Sequence, residues 1–213
     1  MRIAEVRAYA LTLAHPEPYL GRMPDGGADP DGYQVRPPWR SLYSPRFETL
    51  LVRLRGDDGT VGWGEALAPV APEVPAEIVT RLLRPVLEGA ELTGPRPLWY
   101  RLRDLMRERG HLVGHQADAL AAVDIALWDL TARAAGLPVS VLLGGRVTDR
   151  VPTYVSGLPR ETDAARAELA AEWAGRGARR IKLHLGHGIA ADLATVDAVL
   201  AADPRLSVAV DAH

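Results

Sequence analysis

From Val151 onward the chain alternates between two textures. "VPTYVSG" reads as a short strand, "ETDAARAELAAEWAGRG" as a helix, "ARRIKLHLG" as a strand, "IAADLATVDAVLAAD" as a helix and "RLSVAVDAH" as a strand. Helices of this length between strands predict right-handed βαβ units and a parallel sheet. That constraint also says where to look for chemistry, because sites in parallel α/β folds form at the carboxyl ends of the strands. Three parallel strands leave two open edges and little cover. The expectation is that this sheet begins something larger.

The earlier part of the chain reads differently. "RIAEVRAYAL" alternates like a strand, and "ETLLVRLRGDDGTVGWGEA" reads as two strands joined at "GDDG". Antiparallel pairing with the first strand predicts a small sheet. Residues 15 to 46 are rich in Pro, Gly, Asp and Tyr and show no regular period; a loop of that length in a compact domain is usually functional or disordered. Residues 75 to 110 have a helical pattern, interrupted near "LTGPRP". "HQADALAAVDIALWDLTARAA" predicts a long helix, with Leu120, Val123, Leu127 and Leu130 recurring at three- and four-residue spacing. Gly136 and then Pro138 stop it. The chain therefore divides into an α+β unit over 1–113 and the start of a parallel α/β unit over 114–213.

Composition narrows the function classes. The 213 residues suffice for one or two domains. Apolar residues make up 47% and charged residues 24%, and 25 basic against 27 acidic residues leave a net charge of −2. That balance speaks against a nucleic-acid or membrane-surface protein. With no cysteine there is neither a disulfide framework nor a thiolate metal site. The opening "MRIAEVRAYALTLAHPEP" does not read as a secretory leader, since Glu5 and Arg7 break its short apolar stretch. No apolar run approaches the roughly 20 residues of a membrane span. A cytoplasmic protein is the expectation.

Lys182, inside "RRIKLHLG", is the only lysine; the other 24 basic residues are arginine. Arginine stays protonated in proteins, whereas lysine loses its proton when burial or neighbouring charge lowers its pKa. Lys182 and His184 are spaced i, i+2 at one strand end, and Asp211 and His213 at another. In a strand that spacing puts both side chains on one face, about 7 Å apart. One such pair is as often the place where a core meets solvent. Asp211 also suits a helix N-cap, and His213 a solvated position. Two pairs on neighbouring strands, with the sole lysine among them, favour function. His15, His111, His115 and His187 read as structural, loop or surface residues.

With these motifs in hand, the chain resembles the mandelate racemase and muconate lactonizing branch of the enolase superfamily. "GTVGWGEA", "AAVDIALWDLTARAAGLPVSVLLGG", "VPTYVSG", "IKLHLG" and "VAVDAH" follow one another in that family's order and spacing. The resemblance implies an α+β capping domain followed by a modified TIM barrel, of which three strands are present. It implies Mg²⁺ held by three carboxylates, the first of them at Asp211. The first lysine of the family's K-x-K motif matches Lys182. The second, the usual base, falls at His184, a departure that histidine chemistry tolerates near neutral pH. His213 resembles an acid or base found in a subset of sugar-acid dehydratases. Loop 15–46 resembles the family's mobile specificity loop, with Tyr19, Arg22, Tyr33 and Arg40 as candidates to meet a polar substrate.

The implied function is removal of the α-proton of a small-molecule carboxylate substrate through an enediolate, with a sugar-acid dehydratase as the first reading. Racemase, epimerase and cycloisomerase chemistry are the alternatives. The resemblance also implies a homo-oligomer. A (β/α)₈ barrel needs roughly 250 residues by itself, so the expectation is the front part of a longer enzyme. A non-catalytic binding or scaffold protein is the reading of another class.

Overall fold

The computed structural model describes residues 1–14, 32–36 and 41–212. Contacts group them into two units, residues 1–14 with 44–147, and the described residues of 17–43 with those of 148–213.

In the first unit, β1 (Ile3–Leu13) pairs antiparallel with β4 (Phe47–Gly56), and β4 pairs antiparallel with β5 (Val61–Ala66). The order β1-β4-β5 is the small antiparallel sheet expected from "GDDG". One face of β4 carries Leu50, Val52 and Leu54, all fully buried. Helices α1 (Glu73–Ile78), α2 (Arg84–Leu87), α3 (Pro95–Asp104) and α4 (His115–Ala135) bring the covering apolar residues. A π-helical turn, Val79–Leu83, joins α1 to α2. Pro85 cannot donate a backbone hydrogen bond, and the Arg84 N–H reaches back to the Val79 carbonyl.

The sequence reading counted α4 with the second part. Instead it packs on β4 and β5 and completes the core of the first. The reason is steric. Gly62 and Gly64 turn the same face of β5 toward Ala122, Ala126 and Leu130 of α4, and a Cβ on Gly64 would sit 1.9 Å from the Ala122 carbonyl oxygen. Glycine on the strand and alanine on the helix allow this approach. Asp129 adds a polar clasp, accepting from the Trp63 backbone N–H at 2.9 Å and from Arg133 Nε at 2.8 Å. Gly136 ends α4 at φ 65°, and α5 (Val139–Leu142) follows Pro138.

In the second unit β6 (Val155–Ser156), β7 (Arg180–Leu185) and β8 (Ser207–Ala212) form a parallel sheet in that order. Helices α6 (Asp163–Gly175) and α7 (Ile189–Ala202) make the crossovers, as the alternating texture predicted. Ile181, Leu183 and Leu185 are buried with Ala170 and Ala174 of α6 and Val199 of α7. Thr162 caps α6 by accepting from the Ala165 N–H. Thr195 of α7 donates to Asp163 of α6 at 2.7 Å, the same oxygen that takes the Arg166 guanidinium. Residues 15–46 were expected to be without regular structure. Their described part instead contains a hairpin, β2 (Gln34–Arg36) paired antiparallel with β3 (Ser41–Tyr43). Strands of three residues are too short to show a period.

Two consequences are measurable. Gly64→Ala forces a methyl into the α4 backbone, and overpacking of that kind costs about 1–3 kcal/mol. The urea midpoint is expected to fall accordingly; an unchanged midpoint would mean the helix is free to back away. Asp203, in the turn before β8, is held at a pKa of about 2 by the side-chain hydrogen bond from Arg205 and then by the Arg205 backbone N–H. A carboxylate depressed on folding stabilises the fold above its ordinary pKa of 3.8, and the contribution is lost as pH falls toward 2. An NMR titration of the Asp203 carboxyl should show the low midpoint, and Arg205→Ala should return it toward the ordinary value.

Candidate active site

The two-residue repeat of β7 decides which side chains are available for chemistry. With Ile181, Leu183 and Leu185 buried against the helices, Lys182 and His184 lie on the opposite face of the strand. Parallel registry then sets their neighbours. Lys182 stands beside Ser156 of β6 and Ala209 of β8, and His184 stands beside Asp211. These positions lie toward the carboxyl ends of the strands, where the sequence placed the site.

Lys182, His184 and Asp211 do meet. Lys182 Nζ lies 2.5 Å from Asp211 Oδ2, and His184 Nδ1 lies 3.6 Å from the same oxygen. The three side chains are 28%, 34% and 33% exposed, so they form a partly shielded mouth. The first distance is a charge-assisted hydrogen bond. The second is too long for a hydrogen bond and is an electrostatic approach. Chemically the mouth offers an ammonium, an imidazole and a carboxylate within reach of one another.

The lysine departs from one expectation. Its pKa is pushed above the ordinary lysine value, chiefly by the hydrogen bond to Asp211 and against the effect of burial. Lys182 therefore works here as a persistent positive charge. Tyr154, on the same side of the sheet, adds a smaller influence in the same direction.

Ser156 was missed by the sequence reading. Its Oγ lies 3.5 Å from His184 Nε2. The signal was present, because Tyr154 and Ser156 repeat the i, i+2 spacing of the other two strand ends. Gly157 follows at φ 81°, donates its N–H to the Lys182 carbonyl at 2.8 Å, and lies against the His184 ring. Just past the carboxyl end of β7, Asp192 accepts from the backbone N–H groups of Gly186 and His187 and ties the loop to α7.

The other candidates divide. Tyr33 lies just before β2 and is 38% exposed. Tyr19, Arg22, Arg40 and His213 lie outside the described residues. A divalent cation such as Mg²⁺ takes oxygen ligands, and Asp211 suits it as one donor. Among the described residues no group of three or more His, Cys, Asp or Glu is placed to hold a metal ion. No helix among them is long and apolar enough to cross a membrane.

Residues 42–144 match the family described as mandelate racemase / muconate lactonizing enzyme, N-terminal domain. Over its whole length the chain superposes on the crystal structure of a member of the enolase superfamily from Agrobacterium tumefaciens, at a TM-score of 0.91 and 38% identity. The chain belongs to the mandelate racemase and muconate lactonizing enzyme family of the enolase superfamily. The matched region makes the first unit the capping domain of that family. D-galactarolactone cycloisomerase of Agrobacterium fabrum is 34% identical over 178 residues, covering 81% of this chain and 46% of that protein. D-gluconate dehydratase of Thermoproteus tenax is 37% identical over 111 residues, covering 51% of this chain and 22% of that protein. The chain spans about half the length of the cycloisomerase and 55% of the Agrobacterium tumefaciens structure. Its homologues are thus enolase-superfamily enzymes, a cycloisomerase and a sugar-acid dehydratase among them.

Gly157 provides a test of the site's framework. A Cβ there would meet the His184 ring at 3.5 Å, an ordinary contact, so the cost of Gly157→Ala is the left-handed backbone. That cost is about 1–2 kcal/mol. Chemical denaturation should show the loss; a larger one would mean that the ring and its neighbours cannot shift.

Proposed function

We propose that the protein removes the proton α to the carboxylate of a polyhydroxy acid. The observation that carries this reading is the convergence of Lys182, His184 and Asp211 at the carboxyl ends of β7 and β8. His184 is the base. It takes the α-proton on a ring nitrogen and becomes an imidazolium, while the electron pair of the broken C–H bond moves onto the substrate carboxylate and gives an enediolate. Lys182 supplies fixed positive charge toward that developing anion, where preorganised charge is worth most. Asp211 would be one oxygen ligand of Mg²⁺, which would supply Lewis-acid stabilisation of negative charge at the site. The second unit is the start of a (β/α)₈ barrel in this reading. His213 is the acid that returns a proton, and Tyr19, Arg22, Tyr33 and Arg40 belong to the substrate-facing loop.

Loss of the β-hydroxyl with that proton, released as water, makes the reaction a dehydration, and the similarity to D-gluconate dehydratase supports it. A second reading is isomerisation of a sugar-acid lactone without loss of water. It is favoured by the similarity to D-galactarolactone cycloisomerase, which covers 81% of the chain.

The test is exchange of the substrate α-proton in deuterated water with Mg²⁺ present, followed by proton NMR on D-gluconate and D-galactarolactone. The wild-type protein should exchange the proton. His184→Asn should lose exchange by at least about 10²-fold, the lower range for a general base. Lys182→Arg, which keeps charge but changes shape, should retain only a minor fraction. Wild-type exchange in His184→Asn would remove the base assignment. A product lighter by one water marks dehydration, and a product of unchanged mass marks isomerisation.

A further inference from the structure

We propose that the face of the β1-β4-β5 sheet turned away from the helices is where two copies of this chain associate, about a two-fold axis running along β4. Strand alternation sorts the two faces. Leu50, Val52 and Leu54 of β4 are buried on the helical side, so Leu51, Arg53 and Arg55 lie on the other. Registry completes that face in rows of three. Arg55 has Glu5 of β1 and Val61 of β5 at its sides, Arg53 has Arg7 and Trp63, and Leu51 has Tyr9 and Glu65. The Tyr9 and Trp63 rings meet across β4 with centroids 5.9 Å apart, and Trp63 remains 41% exposed. At one end the Glu5 carboxylate receives Arg7 at 2.6 Å, Arg53 at 3.4 Å and Arg55 at 3.5 Å. Three guanidiniums around one carboxylate leave an excess of positive charge. Exposed aromatic rings beside arginines are the composition of protein interfaces.

The arrangement of charge says which partner fits. β1 and β4 carry the arginine excess, and β5 at the other edge carries Glu65, held by the Thr49 hydroxyl at 2.6 Å. An isologous pair needs both halves of each contact on one face, and this face has them. Packed sheets lie about 10 Å apart with nearly aligned strands. A two-fold axis along β4 lays β1 of each copy over β5 of the other. Arg7 then comes opposite Trp63 of the other copy, and a guanidinium over an indole face is attractive. Glu65 of that copy lies one pair further along, opposite Tyr9 and beside the arginine excess. Leu51 meets its own counterpart at the axis. Arg53 and Arg55 also face their counterparts there, and Glu5 from each copy flanks them on either side, which offsets the repulsion.

The experiment is sedimentation velocity of the full chain over a range of concentrations. The wild type should sediment as a dimer at micromolar concentration and dissociate on dilution. Trp63→Ala should raise the dissociation constant about 30-fold, the effect of removing a hot-spot residue. Arg7→Glu should weaken the dimer by placing like charge beside Glu65 of the other copy, and combining it with Glu65→Arg should strengthen association again. The chain has no cysteine, so one introduced thiol reads the axis directly. Leu51→Cys should be joined to its own copy by a short bismaleimide, and Arg81→Cys, on the helical side of the unit, should not. Circular dichroism identifies any variant that fails to fold, and the cross-linking result then decides. A monomer at every concentration would overturn the proposal. So would a dimer that links through Arg81→Cys and not through Leu51→Cys, or one indifferent to both Trp63→Ala and Arg7→Glu.

Discussion

Everything at the candidate site follows from the burial of three alternate residues. Ile181, Leu183 and Leu185 are almost fully removed from water against α6 and α7. At about 25 cal/mol per Å² of apolar surface buried, such residues outweigh any single polar contact at the mouth. A slip of one residue in β7 would expose all three and bury Lys182 and His184 instead. Hydrophobic packing on one face therefore aims the polar pair on the other. The polar contacts refine what that packing has already set.

The first unit depends on a different constraint, the close approach of α4 to β5. It was legible only in pieces. The helix announced itself through Val123, Leu127 and Leu130 at helical spacing, and the hairpin through "GDDG". A glycine in a strand interior is itself a sign of close backbone approach, and "GWGEA" holds two on one face. Nothing in the periodicity of α4, however, names the sheet that receives its stripe. The apolar pattern says that a face is buried, and only Gly62 and Gly64 say against what. This is why the unit boundary falls after α5 and not before α4.

Legibility at the site followed the same logic. Lys182, His184 and Asp211 could be read because each ends a strand long enough to show a period of two. Ser156 belongs to a strand of two residues; the spacing of Tyr154 and Ser156 was in the sequence, but so short a strand did not mark it as a strand end, and its place came from pairing with β7. The hairpin β2-β3 escaped for the same reason. The direction of the lysine's pKa was not readable, since it depends on whether the ammonium reaches the Asp211 carboxylate, whose effect outweighs that of burial. Registry between β7 and β8 decides that, and registry is a property of two strands together.

The solitary lysine among arginines has a physical reading in this geometry. A guanidinium is a planar fork that matches both oxygens of a carboxylate at once. An arginine at 182 would tend to span Asp211 and commit the whole group. The lysine ammonium is a point charge on a flexible stem, and it meets Asp211 at Oδ2, the oxygen that His184 Nδ1 also approaches. One carboxylate oxygen can thus orient a cation and an imidazole together. The stem also lets the charge move toward an incoming anion without rebuilding the strand, whereas a bidentate arginine pair would have to break two hydrogen bonds in concert. Charge alone does not distinguish the two residues at this position; the geometry of the shared carboxylate does.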